Sequence, residues 1–105
     1  MLEQVVTVES PVNLKHVTAT FVVDTGASYT LLPQHDVNHL QLEPVAVATV
    51  ATAAGVVRMK VYSVRILASG ETVNALAMVN PGGVRVLGLD AIRKIGLVVH
   101  PSGGN

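Results

Sequence analysis

"FVVDTGASYTLLP", residues Phe21 to Pro33, opens as a buried strand does, with Phe21, Val22 and Val23 in a row. It then sets a carboxylate, Asp24, directly on the end of that apolar run. Thr25, Gly26, Ala27 and Ser28 follow before the chain turns apolar again at Leu31 and Leu32. A carboxylate at the rim of a core loses water, which disfavours its charged form, and a second carboxylate nearby disfavours it further. A pair so placed, one member charged and the other protonated, is prepared for acid/base chemistry. Gly26 permits a tight turn and leaves room for a substrate or a second chain. The Thr25 hydroxyl can tie neighbouring loops together, and Ala27 and Ser28 are small enough to let those loops approach.

Outward from this stretch the chain reads as a series of short strands. Glu3 to Glu9 alternates weakly, Ser10 to Asn13 is a turn bearing Pro and Asn, and Leu14 to Val23 completes an antiparallel hairpin. In that second strand Leu14, His16, Thr18 and Thr20 share one face, and Lys15, Val17, Ala19 and Phe21 the other. Gln34 to Leu42 reads as a short helical turn or an irregular loop. "VAVATVAT" and "VVRMKVYSVRILA" are strands around Ala53, Ala54 and Gly55, the second long enough to bend and serve two sheets. Turns at Ser69 to Glu71 and Asn80 to Gly83 bracket "TVNALAMV", and "VRVLG" follows as another strand.

Asp90 stands where an N-cap belongs and Gly96 where a C-terminal glycine belongs, which predicts a short helix over Ala91 to Ile95. Residues 97–100 read as a last strand and residues 100–105 as a frayed tail. Some seven strands and one helix predict a mainly β, barrel-like domain over residues 1–105.

Composition agrees with that class. Half of the 105 residues are hydrophobic, Val dominates them, and aromatics are 3%. A β-branched, aromatic-poor set favours strands. Charged residues are 13%, against roughly 25% in average soluble domains, so part of the surface is expected to be covered by another subunit. The formal net charge is zero, which gives no electrostatic reason to expect nucleic acid or an anionic membrane. Cysteine is absent, which excludes disulfides and thiolate metal sites. The longest apolar run, Val45 to Val57, is shorter than the 18 or so residues of a membrane span and reads as a hairpin. No secretory leader is read at the N-terminus, and the compartment stays open.

"VVDTGASYTLLP" resembles the active-site segment of retropepsin-like aspartic proteases, whose core pattern is Asp-Thr-Gly-Ala-Ser/Thr. That family also has two apolar residues and a glycine ahead of a short helix near the C-terminus. Here "VRVLGLDAIRKIG" supplies Val86, Leu87 and Gly88. The glycine-bearing hairpin "VATAAGVV" corresponds to the family's flap. The resemblance implies a closed β-barrel of the acid-protease type with one short C-terminal helix, and it implies aspartic endopeptidase activity without cofactor or metal. It makes Asp24 the catalytic residue. Thr25, Gly26, Ala27 and Ser28 become the active-site loop, and Ala53, Ala54 and Gly55 a flap tip that closes over the peptide. Leu87 and Gly88 are structural residues beside the site. One motif per chain supplies one carboxylate where the chemistry needs two, so a homodimer acting on a polypeptide substrate is expected. A non-catalytic peptide- or protein-binding module on the same fold is the alternative.

Two departures set the chain apart from the retroviral pattern. Ser28 stands where many retroviral enzymes carry a second acidic residue, and Gly88 is followed by Leu89 and Asp90 in place of an arginine. The ion pair of those residues is absent, which brings the pattern closer to bacterial or cellular members. The first strand already belongs to the first hairpin, so the usual intermolecular sheet is missing, smaller, or built from "GLVVHPSGGN" alone.

Other candidates carry less. His35 and His39, four apart with Asp36 between them, could share a metal on a helix, or could lie on a solvated turn after Pro33. His16 and His100 read as surface residues. Gly55 serves equally as a flap or a plain hairpin glycine, and Gly88 as a packing glycine. Val22, Leu31, Val56 and Val86 suggest pockets for apolar side chains. Arg58, Lys60, Arg65, Arg85, Arg93 and Lys94 read as solvated faces.

Overall fold

The computed structural model describes residues 2–97. Seven strands and two helices follow one another along the chain. β1 (Glu3–Glu9) and β2 (His16–Val23) form the first hairpin, in the register Glu3 opposite Val22 to Glu9 opposite His16. The turn between them is longer than the sequence suggested. The Ser10 hydroxyl accepts from the Val12 and Asn13 amides at 3.2 and 3.3 Å, and Leu14 takes a left-handed φ of 65°. Leu14 is therefore a turn residue, and β2 starts two residues later.

β3 (Thr30–Leu32) runs into Pro33, which fixes its own φ and caps α1 (Gln34–Leu40). The open alternative over residues 34–42 thus resolves as a helix for most of its length, and the expectation of a single helix is corrected to two. α1 turns Asp36, Val37 and Leu40 inward and ends at Gln41 in the left-handed region. His35 and His39 lie on its exposed side.

β4 (Pro44–Thr52) and β5 (Gly55–Ala68) form the long hairpin, and β6 (Glu71–Val79) returns along the second half of β5. β5 has 14 residues and, instead of serving two sheets, pairs with three strands of one sheet. Its outer half, to Tyr62, pairs with β4; its inner half pairs with β6 and, at Arg65 to Leu67, with β1. β7 (Val86–Leu87) is two residues long and lies parallel to β2 and antiparallel to β3. α2 (Leu89–Ile95) follows at once and ends on Gly96, φ 80°, as the glycine predicted.

The strand order is β1-β2-β7-β3-β6-β5-β4, with a further β1–β5 pairing. The pairings return on themselves through six strands and leave β4, with the outer half of β5, as an outer arm. One hydrophobic cluster fills the ring: Val6, Val8, Phe21, Leu32, Val64, Ile66 and Leu87 are fully buried, with Leu40 of α1 and Ala91 of α2 closing it from outside the sheet. The expected last strand and frayed tail lie, Leu97 excepted, outside the described residues. So does most of the segment expected to build an intermolecular sheet. No helix among the described residues is long and apolar enough to cross a membrane.

Candidate active site

The apolar run Phe21–Val23 is pulled inward in alternation: Phe21 and Val23 are buried and Val22 is half-buried. The next residue, Asp24, leaves the sheet. Its backbone N–H still donates to the Leu87 carbonyl at 3.1 Å, so its start is pinned to β7. Its carbonyl accepts from the Ala27 amide at 3.2 Å, and its Oδ1 accepts from the Gly26 amide at 2.8 Å. Three hydrogen bonds therefore hold both the backbone and the carboxylate.

In the single chain Asp24 is exposed, which corrects the expectation that the end of a buried strand desolvates it. Any desolvation has to come from something laid over the site. Thr25 and Ser28 are exposed as well, and Ala27 is half-buried.

Two segments far apart in sequence are stitched together here. The Leu89 amide donates to the Ala27 carbonyl at 2.7 Å, and the Asp90 amide to the Ser28 carbonyl at 3.1 Å. The Gly88 amide donates to the buried Thr30 hydroxyl at 3.2 Å. Gly88 has an ordinary φ of −87°, so its backbone angle does not demand glycine. Space does: a Cβ there would stand 2.3 Å from the Tyr29 carbonyl carbon and oxygen. The packing role read for Gly88 follows from this approach. At Gly26 a Cβ would sit 3.1 Å from Asp24 Oδ1, tight against the carboxylate.

Asp90 is not the N-cap. Gly88 holds that position without a side-chain cap, and Asp90 lies in the first turn of α2. Its carboxylate accepts from the Leu76 amide at 3.3 Å and pairs with Lys94 at 3.3 Å, joining α2 to β6.

A cleft of about 550 Å³ runs beside the loop. Residues 26–29 form one wall, residues 48–51 and Met59 of the arm the other, and Leu31 with residues 78–81 the back. Tyr29 is the sole ionisable side chain in that lining. Asp24 and Thr25 are not in the lining; Asp24 is bonded to Gly26, which is. Of the four apolar residues expected to line pockets only Leu31 does so. Val86 is buried in the sheet at 8% exposure, Val22 is half-buried in β2, and Val56, 69% exposed, lies on the arm.

The tip Ala53, Ala54 and Gly55 is exposed, and the wall is built from the strand behind it. Thr52 staples the tip: its hydroxyl donates to the Gly55 carbonyl at 2.7 Å and accepts from the Ala54 amide at 3.3 Å. Gly55, with φ 116°, adopts a conformation other residues rarely take. The contributions of Tyr29, Met59, Met78 and Asn80 escaped the sequence reading. Met78 lies directly opposite Leu31 in the β3–β6 register, a pairing invisible before the topology is known.

Of the residues weighed as metal ligands, Asp36 is committed to an arginine. Asp36, 2% exposed, spends both oxygens on Arg85: Nε to Oδ2 at 2.8 Å and Nη2 to Oδ1 at 2.9 Å. Its hydrogen bonds to the guanidinium hold the Arg85 pKa above the usual range, outweighing the lowering by burial. Among the described residues no group of three His, Cys, Asp or Glu side chains is placed to share an ion. Arg85 is thus no solvated cation, and Arg65 too is paired, with Glu9 at 2.8 Å.

A family model described as "gag-polyprotein putative aspartyl protease" matches residues 10–94. The chain belongs to this aspartyl protease family. The match spans the Asp24 loop, the long hairpin and the Gly88 strand-to-helix junction. Among solved structures the chain is similar to EIAV protease complexed with the inhibitor HBY-793, at a TM-score of 0.70 and 18% identity over 95% of this chain and 92% of that one. At that identity the likeness speaks for the retropepsin-like fold. No curated protein sequence matches the chain significantly.

Proposed function

We infer that the protein is a homodimeric aspartic endopeptidase whose working centre is a pair of Asp24 carboxylates, one from each chain. The observation that carries this reading is the state of Asp24 in one copy. It is held at three points yet open to solvent, as half of a shared site would be. A surface aspartate with no task has no need of a loop stitched to a second strand-to-helix junction. The β1–β5 pairing supports taking the ring of strands as the closed barrel of the acid proteases.

In this reading a second copy covers the first across a two-fold axis and removes water from both carboxylates. One ionised Asp24 takes a proton from a water molecule, whose oxygen attacks the scissile carbonyl carbon. The other Asp24, protonated, hydrogen-bonds the carbonyl oxygen and supports the tetrahedral intermediate. As the C–N bond breaks, a proton passes to the leaving nitrogen. Thr25 would interlock with its twin, and Gly26 would meet the substrate backbone. The arm would close over the peptide. An extended peptide can pair its backbone with the free edge of β4, as in strand addition. The cleft offers an incoming side chain no formal charge to pair with, which favours uncharged, apolar residues there.

Cleavage of a pooled peptide library across pH, with Asp24→Asn as the control, tests the reading. The wild type should give a bell-shaped profile on the acid side of neutral, because one carboxylate must be charged and its twin protonated. Asp24→Asn should fold and dimerise but not cleave. Cleavage by Asp24→Asn equal to wild type overturns the assignment. A wild type that binds peptides without cutting them favours the non-catalytic module.

A further inference from the structure

β7 is the weakest link in the site by length. It has two residues, yet it lies between β2 and β3 and receives the Asp24 amide. Two residues supply little pairing of their own to resist small displacements. Upstream of them residues 81–84 form an exposed turn, tied to itself through the Asn80 side chain and to β3 at one end alone, where the half-buried Asn80 donates its amide to the Leu32 carbonyl at 2.8 Å. Between that turn and β7 stands Arg85.

Arg85 is held from two directions. Its carbonyl accepts from the Val22 amide at 3.0 Å, two residues before Asp24. Its guanidinium meets the Asp36 carboxylate in the two-point fork already described, with His35 Nε2 at 3.4 Å from both partners. Asp36 is on α1, whose Leu40 is fully buried in the core cluster. A rigid path therefore runs from the core through α1, Asp36 and Arg85 into β7, and from Leu87 to the Asp24 backbone. Burying a carboxylate is costly, and an ion pair in such a place is often no more stabilising than apolar residues of similar volume. A two-point fork does fix position, because both bonds are satisfied in one orientation alone.

We propose that Asp36 and Arg85 are positioning residues, whose fork sets the placement of β7 and through it the height of Asp24 in the site. This rests on the reading of Asp24 as the catalytic carboxylate, but part of its test does not. Misplacement of a reacting group by about an ångström can cost on the order of a hundredfold in rate.

The test separates placement from stability with the double variant Asp36→Leu/Arg85→Met, in which apolar side chains replace both ions. Its unfolding midpoint should stay near that of wild type. Its kcat on a cleaved peptide should fall at least about tenfold with KM little changed, since the cleft wall is untouched. Native-state hydrogen exchange at the Val22 and Asp24 amides should quicken about tenfold, while the Val64 and Ile66 amides of the core keep their protection. If the double variant does not fold, Arg85→Lys takes its place: it keeps the charge but gives up the fork, and the same two losses are expected. Wild-type kcat together with unchanged exchange at Val22 and Asp24, in either folded variant, overturns the proposal. If the wild type cleaves nothing, the protease reading fails, and the exchange measurement alone still decides whether the fork governs the placement of Asp24.

Discussion

The ring and the arm are built from the same kind of residue and behave as opposites. Phe21 and Val23 of β2 and Val64 and Ile66 of β5 are buried, and the Asp24 loop beyond β2 is fastened by hydrogen bonds from several elements. In the arm, β4 and the outer half of β5, Val45, Val47 and Val56 are 60%, 54% and 69% exposed. The arm is held by one ladder of strand pairing and a stapled tip. A valine is thus worth what its neighbours make it: the loop bearing Asp24 is tied to several elements, and the wall opposite rests on its own hairpin. In the proposed function that division suits an acid that has to be fixed under a cover that has to move.

The largest effect should come from the middle of the ring. Phe21→Ala removes the sole phenylalanine, fully buried in the cluster, and should destabilise the protein by about 4 kcal/mol in denaturant unfolding. A loss under about 1 kcal/mol would mean that the ring is not the stable half, and the contrast would fail.

The same substitution in each half sharpens the point. Gly88→Ala forces a methyl group against the Tyr29 carbonyl at 2.3 Å and should cost about 3 kcal/mol or more. It should also lower any cleavage activity, because the Ala27 and Ser28 carbonyls are bonded to the residues just after it. Gly55→Ala meets nothing within 4 Å but must adopt a φ of 116°, and should cost about 1 kcal/mol. Unfolding curves of the two variants rank them. An equal cost would show that backbone angle, not space, governs both sites.

How much of this could be read beforehand depended on how far apart the cooperating residues lie. Valine-rich runs bounded by turn residues disclosed β1, β2, β5 and β6 nearly to their ends. The Asp-Thr-Gly run and the Val86-Leu87-Gly88 run marked two segments that hydrogen bonds join, each being a local demand on the backbone or on space. Leu14 misled because alternation continues through it while its φ is that of a turn. Asp90 misled because the helix begins as soon as β7 ends, and the close approach at Gly88 sets that point. Asp36 and Arg85 are 49 residues apart and could not be paired without the ring. The exposure of Asp24 was not legible because the burial of Phe21 and Val23 stops where the chain leaves the sheet, one residue earlier than the apolar run implies.

The smallest expected effect is the most informative about the arm. Val47→Thr and Val56→Thr change exposed side chains to polar ones of similar shape, and in a dilute single chain each should shift stability by less than about 0.5 kcal/mol. In a dimer whose second copy lies over the arm, the same changes would remove buried apolar surface. Stability would then depend on protein concentration in wild type and less so in the variants, because a partner that binds only the folded state stabilises it by mass action. Thermal unfolding of all three proteins at two concentrations a hundredfold or so apart distinguishes these cases. Equal, concentration-independent midpoints leave the arm a free cover. A concentration dependence that Val56→Thr abolishes would make the arm part of the interface, and the contrast between a fixed ring and a free arm would then hold for the monomer alone.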